Sequence, residues 1–511
     1  MYHPYNANME YKNDKAIDNE ATAELKKYIK RSKTDIPSFQ HEQYGRYIEE
    51  PWTILESYFR GMHLQRLVRH QLESYNDFIT TQIRRTINMF NPVVIHTDND
   101  YDTTTRKYRL EMIVTFENFR LYRPQIHENN GATKVMFPHE ARLRNFTYAS
   151  AMTVDLNIKI VTRNGDNLHL EQHYHKVLPR IHIGKLPIML RSSICVLNQY
   201  QHVPADITGE CKYDPGGYFI INGSEKTVLG QERAAENKVY CYDMRKHNNK
   251  WSWMAEIKSI PDHKIISPKQ INMLLTTKNT GFGTMIYLEI PRIKIPVPLS
   301  VVFRALGVLS DKSICQHIIL DINEEKQQTM LEAIKGTLVD GNKWKTQEEA
   351  MKYLTTHVKY TPMNMTPEEG ERKKREFTEE VLANDLFPHC KTEIQKLYFL
   401  GYMANRLIQA SFEWVKEDDR DCYMNKRIDT TGALLNNLFR NYFNKLVKDL
   451  QKFSSKEINH GSWRSTNDYE NIINYTNVYK IIKSSTIESG IKRALATGDF
   501  GIKNTKSNKV G

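Results

Sequence analysis

The spacing of apolar residues changes along this chain, and that change limits what it can fold into. Leu64, Leu67, Val68, Leu72, Tyr75, Phe78, Ile79, Ile83 and Ile87 recur at intervals of three and four, which predicts one buried stripe of an amphipathic helix. Asn91-Pro92 should stop it, because proline lacks a donor and restricts the residue before it. Beyond that point the period falls to two. Tyr108, Leu110, Met112, Val114 and Phe116 alternate with polar neighbours, as do Val154, Leu156, Ile158 and Ile160. Alternation of this kind marks half-buried strands. Asn164-Gly165 can supply the positive φ values of a tight hairpin leading to Leu168 and Leu170. Residues 92–230 therefore read as a mostly antiparallel sheet region, with further strands at Val239–Tyr242, Trp253–Ile257 and Met285–Ile290.

Helical spacing returns at 301–306. Residues 361–380 mix both signs of charge with Pro and Gly, which predicts an exposed connection leading into a helix. Two long helices are expected after residue 391. Ile394–Trp414 is apolar nearly all round and should be deeply buried. The second has Leu434, Leu435, Leu438, Phe439, Tyr442, Phe443, Leu446, Val447 and Leu450 on one side and Arg440, Lys445 and Lys448 on the other. Residues 1–45 are polar and read as a loosely held arm. The fold class is α+β, with several domains.

No apolar run exceeds four residues, far short of the roughly twenty that a membrane helix needs. The first thirty residues lack the apolar stretch of a secretory signal. A soluble, intracellular, non-secreted protein with no membrane partner is expected. Six cysteines are spread so thinly that the closest pair lies sixteen apart, so neighbouring ligands compose no zinc ribbon. The net charge of +12 points to a polyanionic partner.

Asp98-x-Asp100-x-Asp102 has the alternating carboxylates of a divalent-cation loop, but a calcium loop would need Gly and Glu where Thr103 and Arg109 stand. A solvated turn is the better reading. His169, His173, His175 and His182 lie close in sequence without a cysteine or carboxylate that completes a ligand set. Between Gly217 and Gly223 stand Tyr218, Phe219, Ile220, Ile221 and Asn222, largely strand formers, so this is turn–strand–turn and no phosphate loop. No self-contained active site assembles from the chain: neither catalytic nor metal-binding residues are assigned.

Several of these segments carry a resemblance. Tyr213-Asp-Pro-Gly-Gly-Tyr-Phe-Ile-Ile-Asn-Gly-Ser-Glu-Lys226, with Gln231-Glu232-Arg233, resembles the second-largest subunit of multisubunit DNA-directed RNA polymerases, of the eukaryotic type. Similar blocks follow the family's order: Leu67–Phe78, Pro138–Tyr148, Leu186–Ser192, Ile295–Pro298, Phe303–Gly307, Phe399–Leu407, Asp418–Asp421, Asn425–Arg427 and Ala494–Gly498. The likeness covers about residues 50–511.

The resemblance implies a protrusion domain over 46–228 and 391–455, interrupted by a lobe domain over 229–390, with 456–511 beginning a truncated fork region. It implies transcription as a nucleotidyltransferase assembly, in which this chain is not itself catalytic. Mg2+ would be held by the largest subunit, and a Zn2+ site would lie C-terminal of anything here. Partners would be the largest and smaller polymerase subunits, DNA template, RNA product and ribonucleoside triphosphates. The location would be the nucleus, or a cytoplasmic viral factory or virion if the chain is viral. A separate nucleic-acid-binding or assembly module that keeps the fold is the alternative.

Residues 491–511 carry five basic residues and one acidic, with no closing element, as a truncated or split chain would. There Lys503, Lys506 and Lys509 are candidate phosphate contacts. The family's matching loop ends Arg-Ala-Gly where this chain has Lys509-Val510-Gly511, which keeps charge but loses bidentate geometry. Asp418, Asp419, Arg420, Asp421, Lys426 and Arg427 are expected to form a buried ion-pair network fixing the junction between two helices.

Overall fold

A computed structural model describes Trp52, Leu55, Tyr58 and residues 64–96, 101–102, 107–164, 168–200, 203–211, 213–245, 250–261, 267–277, 281–321, 324–361, 366–460 and 468–501. The chain divides at Arg66, and the unit from Leu67 to Gly511 holds three apolar cores. The architecture mixes helices with antiparallel sheets, the α+β class expected.

The first apolar stripe is helical as Arg69–Asp77 and Ile83–Phe90, joined by a wider π turn at Phe78–Gln82. Leu72, Tyr75, Phe78, Ile79, Ile83 and Ile87 are buried, while Leu67 precedes the helix and is exposed. At the helix end Asn91 copies a peptide unit: its Nδ2 donates to Phe116 O at 2.7 Å, and its Oδ1 accepts from Phe116 N at 3.0 Å. The chain then enters a four-stranded antiparallel sheet of β1 (Val93–Ile95), β2 (Leu110–Leu121), β3 (Ala149–Asn164) and β4 (Leu170–Pro187), in that spatial order. Leu110, Met112, Val114 and Phe116 of β2 are buried in alternation, and so are Leu156, Ile158 and Ile160 of β3. Asn164 pairs with Leu170, so the two strands are joined as a hairpin, while Gly165 of the expected tight turn lies outside the described residues.

This first core is incomplete without residues far downstream. Leu435, Leu438, Phe439, Phe443, Leu446, Val447 and Leu450, all on the helix Thr431–His460, fill it. Ile487, Ile491, Ala494 and Leu495 of the helix Ser485–Thr497 also enter it. Buried Thr86 donates to Asn436 Oδ1 at 2.9 Å, and Gly432 N donates to Ser74 Oγ at 2.8 Å. A Cβ at Gly432 would sit 2.0 Å from the Ser74 carbonyl oxygen, so only glycine permits this approach.

Residues 239–410 make a second core. A five-stranded antiparallel sheet runs β5 (Tyr240–Asp243), β6 (Trp251–Ser259), β7 (Lys269–Thr276), β8 (Ile286–Glu289) and β9 (Val297–Pro298). Helices cover it. Arg304, buried, donates to Trp344 O at 2.8 Å and Asp311 Oδ1 at 2.7 Å and also reaches Gly341 O, satisfying carbonyls at and beyond the end of the helix Glu325–Gly341. The helix Glu393–Ser411 packs so closely on Asp311–Ile319 that a Cβ at Gly401 would meet His317 O at 2.0 Å.

Two expectations change. Residues 361–380 are mainly helix, since Thr366 caps Pro367–Asn384 through a bond from Glu369 N and the first-turn acids suit the helix dipole. The helix Glu393–Ser411 is not buried all round: Ile394, Tyr398 and Tyr402, spaced by four, share an exposed face. It packs in the second core. Residue 456 lies inside the helix Thr431–His460, and Ile458, Ile472, Ile473, Val478, Ile481 and Ile482 belong to the first core.

Gly432→Val should destabilise the chain by on the order of 3 kcal/mol, because a backbone oxygen cannot yield to the new side chain. Thermal unfolding followed by circular dichroism would show a lower midpoint, while Asn437→Ala, exposed on the same helix, leaves it unchanged.

Candidate functional site

Four segments that carry the family likeness meet at one place. Tyr75 OH donates to Pro187 O at 2.7 Å, and Ser193 N donates to Asn76 Oδ1 at 2.9 Å. Leu190 N donates to Tyr218 O and Gly217 N to Leu190 O, at 2.9 and 3.0 Å. Strands Phe219–Ile221 and Ser224–Lys226 form a hairpin whose two turn residues, Asn222 and Gly223, both have positive φ, as such a tight turn requires. Gly216 also has positive φ, and a Cβ there would lie 2.4 Å from Arg191 Cγ. The glycines permit contact between the segments.

Arg142 joins Pro138–Tyr148 to Tyr213–Lys226 and to Glu210. Its guanidinium donates to both oxygens of Glu210 at 2.8 and 3.0 Å, to Tyr218 OH at 2.8 Å and to Glu225 Oε1 at 2.7 Å. Tyr218 in turn donates to Asp214 Oδ2 at 2.5 Å. Burial alone would pull the Arg142 pKa down; Glu210 and Glu225 outweigh it and hold it above the ordinary value. Burial, then the Asp214 carboxylate, push the Tyr218 phenol well above its usual range. Arg142, both oxygens of Glu210, Tyr218 and Asp214 are engaged within the cluster, and the half-exposed Glu225 takes part through Oε1. Beside it a cleft of about 400 Å³ is bounded by His70, Gln71, Gly216, Gly217, Glu225 and Lys226. Among the described residues no three His, Cys, Asp or Glu side chains converge to hold a metal. No step of phosphoryl chemistry is derived for these residues.

The charged run 418–427 lies where the chain returns from the second core to the first. There Gln231–Ala234 pairs antiparallel with Lys426–Asp429, so the outgoing and returning strands form one ribbon. Arg233 Nε meets Asp429 Oδ1 at 2.7 Å, and Lys426 Nζ meets Glu232 at 2.9 Å. The ion partners of Asp418, Arg420 and Lys426 lie outside the run. Asp418 Oδ2 accepts from Cys241 N at 2.9 Å, and its other oxygen lies 3.6 Å from Arg406. Arg420 covers the Tyr242 ring at 3.9 Å and stands 3.9 Å from Glu256. Asp419 Oδ1 accepts from Asp421 N at 2.8 Å, and Arg427 donates to the carbonyl of Lys426 at 2.8 Å. Arg420 and Arg427 are exposed. Side chains of consecutive non-helical residues diverge, so neighbours in sequence find separate partners.

Lys503, Lys506 and Lys509 lie outside the described residues, as do Asp98 and Asp100; Asp102 sits in the short strand Tyr101–Asp102. His173 is exposed on β4, and burial lowers the pKa of His182 there. Arg142 and Glu210 were not singled out from sequence, since nothing local announces a pair 68 residues apart.

The family model described as RNA polymerase beta subunit matches residues 66–489. The chain belongs to that family. It is 32% identical over 477 residues to DNA-directed RNA polymerase II subunit 2 of Arabidopsis thaliana, covering 91% of this chain and 38% of that protein. It is 34% identical over 458 residues to DNA-directed RNA polymerase II subunit RPB2 of Encephalitozoon cuniculi, covering 89% and 37%. The subunit Rpo2N of Methanothermobacter thermautotrophicus is 27% identical over 462 residues, and there the match spans 88% of this chain and 81% of the relative. The chain thus spans a little over a third of these two eukaryotic relatives. In this RNA polymerase beta subunit family member, Arg142 joins two of the segments that carry the resemblance, Pro138–Tyr148 and Tyr213–Lys226.

Arg142→Met should cost about 3 kcal/mol, since it strands Glu210 as a buried, unpaired charge. Arg142→Lys should recover only part of it, because an ammonium cannot serve Glu210, Glu225 and Tyr218 together. Urea denaturation of the whole chain measures both; equal stability of the three proteins would remove Arg142 as the organising residue.

Proposed function

We propose that this chain is the N-terminal part of a second-largest RNA polymerase subunit, forming one side of the DNA cleft during template-directed RNA synthesis. The observation that carries the reading is the meeting of Leu67–Phe78 with Leu186–Ser192, of Leu186–Ser192 with Tyr213–Lys226, and of Tyr213–Lys226 with Pro138–Tyr148 through Arg142. These are the segments of the resemblance, and their polar groups serve structure, not bond making. In this reading the body closed by Thr431–His460 is the protrusion, the inserted second core is the lobe, and the segment after residue 468 leads toward the fork. The chain contributes shape and positive charge. The catalytic Mg2+ belongs to the largest subunit, and a Zn2+ site belongs to the C-terminal remainder of this one. DNA, RNA, ribonucleoside triphosphates and the other subunits are the partners, in a nucleus or a viral factory. Support also comes from a relative of comparable length, Rpo2N, that is itself called a polymerase subunit, and from the mimivirus DNA-directed RNA polymerase subunit 2, 29% identical over 483 residues. Among the described residues no helix is long and apolar enough to cross a membrane.

The test is reconstitution. The purified chain should incorporate no ribonucleotide on a primed DNA template. Combined with a polypeptide supplying the rest of the subunit and with the largest and smaller subunits, it should restore synthesis that the mixture lacks without it. Synthesis by the chain alone, or equal synthesis without it, overturns the reading.

Phosphate contact by Lys503, Lys506 and Lys509 belongs to the same proposal. Replacing all three with Ala should flatten the slope of log affinity for duplex DNA against log salt by roughly three, as loss of about one counterion per contact requires. An unchanged slope removes them from the interface.

A further inference from the structure

A second cleft, which the polymerase reading leaves unused, lies where the helix Ser485–Thr497 crosses the end of β4. The strand backbone runs directly under the helix start: a Cβ at Gly184, φ +143°, would lie 3.0 Å from Ser484 O and 3.4 Å from Glu488 N. That approach places Lys185 of the strand and Lys492 of the helix at one opening of about 270 Å³. Its lining includes Ile126 and Met136, both buried, and the partly buried Phe146. Among the described residues neither lysine has a carboxylate within ion-pair distance, and the one carboxylate among the lining residues is Glu488.

We propose that this cleft docks an acidic peptide segment of a partner protein through a single large apolar side chain. The space is below the roughly 300–1,000 Å³ that encloses a whole small ligand, so it suits one side chain. Interface energy concentrates where such an anchor fills a desolvated pocket. Among the described residues the two lysines have no ion-pair partner, and carboxylates flanking the anchor would supply one, favouring the encounter and its register. A nucleic-acid strand fits less well. Binding it calls for cations tracking the backbone along a groove, whereas here two lysines and a carboxylate surround a closed apolar floor.

The probe is a fluorescein-labelled synthetic peptide with a central phenylalanine flanked by glutamates, titrated with the whole chain at low salt and read by anisotropy. Saturable binding is expected. It should weaken about tenfold or more when the phenylalanine is replaced by alanine, or in the chain carrying Lys185→Glu with Lys492→Glu. Lys185→Arg with Lys492→Arg should hold affinity within about twofold, and thermal midpoints should match in all three chains, which separates docking from folding. No saturable binding, or binding indifferent to the charge reversal, overturns the proposal. So does a single-stranded oligonucleotide that displaces the peptide and itself loses affinity on charge reversal, which would assign the cleft to nucleic acid. The polymerase reading stands or falls on RNA synthesis and is untouched by either result.

Discussion

The buried contact between the helices of residues 69–90 and the helix Thr431–His460 is the constraint on which the rest of this structure depends. Phe78 meets Phe439 edge-on at 6.5 Å, Phe90 meets Phe443 at 5.4 Å, and Thr86 bonds to Asn436 in the interior. Because these partners are some 350 residues apart in the chain, the first core forms only when the intervening length has been brought back. Closing so long a loop has a substantial entropic cost, though one that grows slowly with length. The second core can therefore be large without penalising the first. Outgoing and returning strands pair at Gln231–Ala234 and Lys426–Asp429, so the crossing is a hydrogen-bonded ribbon instead of two separate tethers.

The charges near that ribbon show why family likeness and function are separate questions. Asp418, Arg420 and Lys426 tie the returning segment to Cys241, Tyr242 and Glu232, on the opening strands of the inserted part. Gly401, Asn405 and Arg304 do comparable work within the second core: Asn405 bonds to Ile318 O at 2.8 Å, and Arg304 occupies carbonyls around a helix end. The segments most like those of other polymerase subunits are thus explained by close backbone approach and by satisfaction of buried polar groups.

Legibility followed the range of the physics involved. Strands with period-two burial, the turn at Asn222-Gly223 and the helix containing Phe439 and Phe443 are readable because a few neighbouring residues settle them. The charged stretch 361–380 reads as a connection leading into a helix, yet Pro367 also suits a first helical turn, where Thr366 provides the cap, so most of it is helix. Ile394, Tyr398 and Tyr402 looked like core residues, yet composition cannot say which face of an apolar helix meets a neighbour.

The amino-acid sequence by itself determined the elements, the α+β class and family membership, since periodicity, turn residues and ordered motifs are properties of short segments. Tertiary structure alone decided that Glu393–Ser411 joins the second core, that Arg142 finds Glu210, and that Lys185 and Lys492 share one opening. Those facts depend on which distant surfaces bury each other, and that is set by the shapes of assembled layers, not by any local pattern.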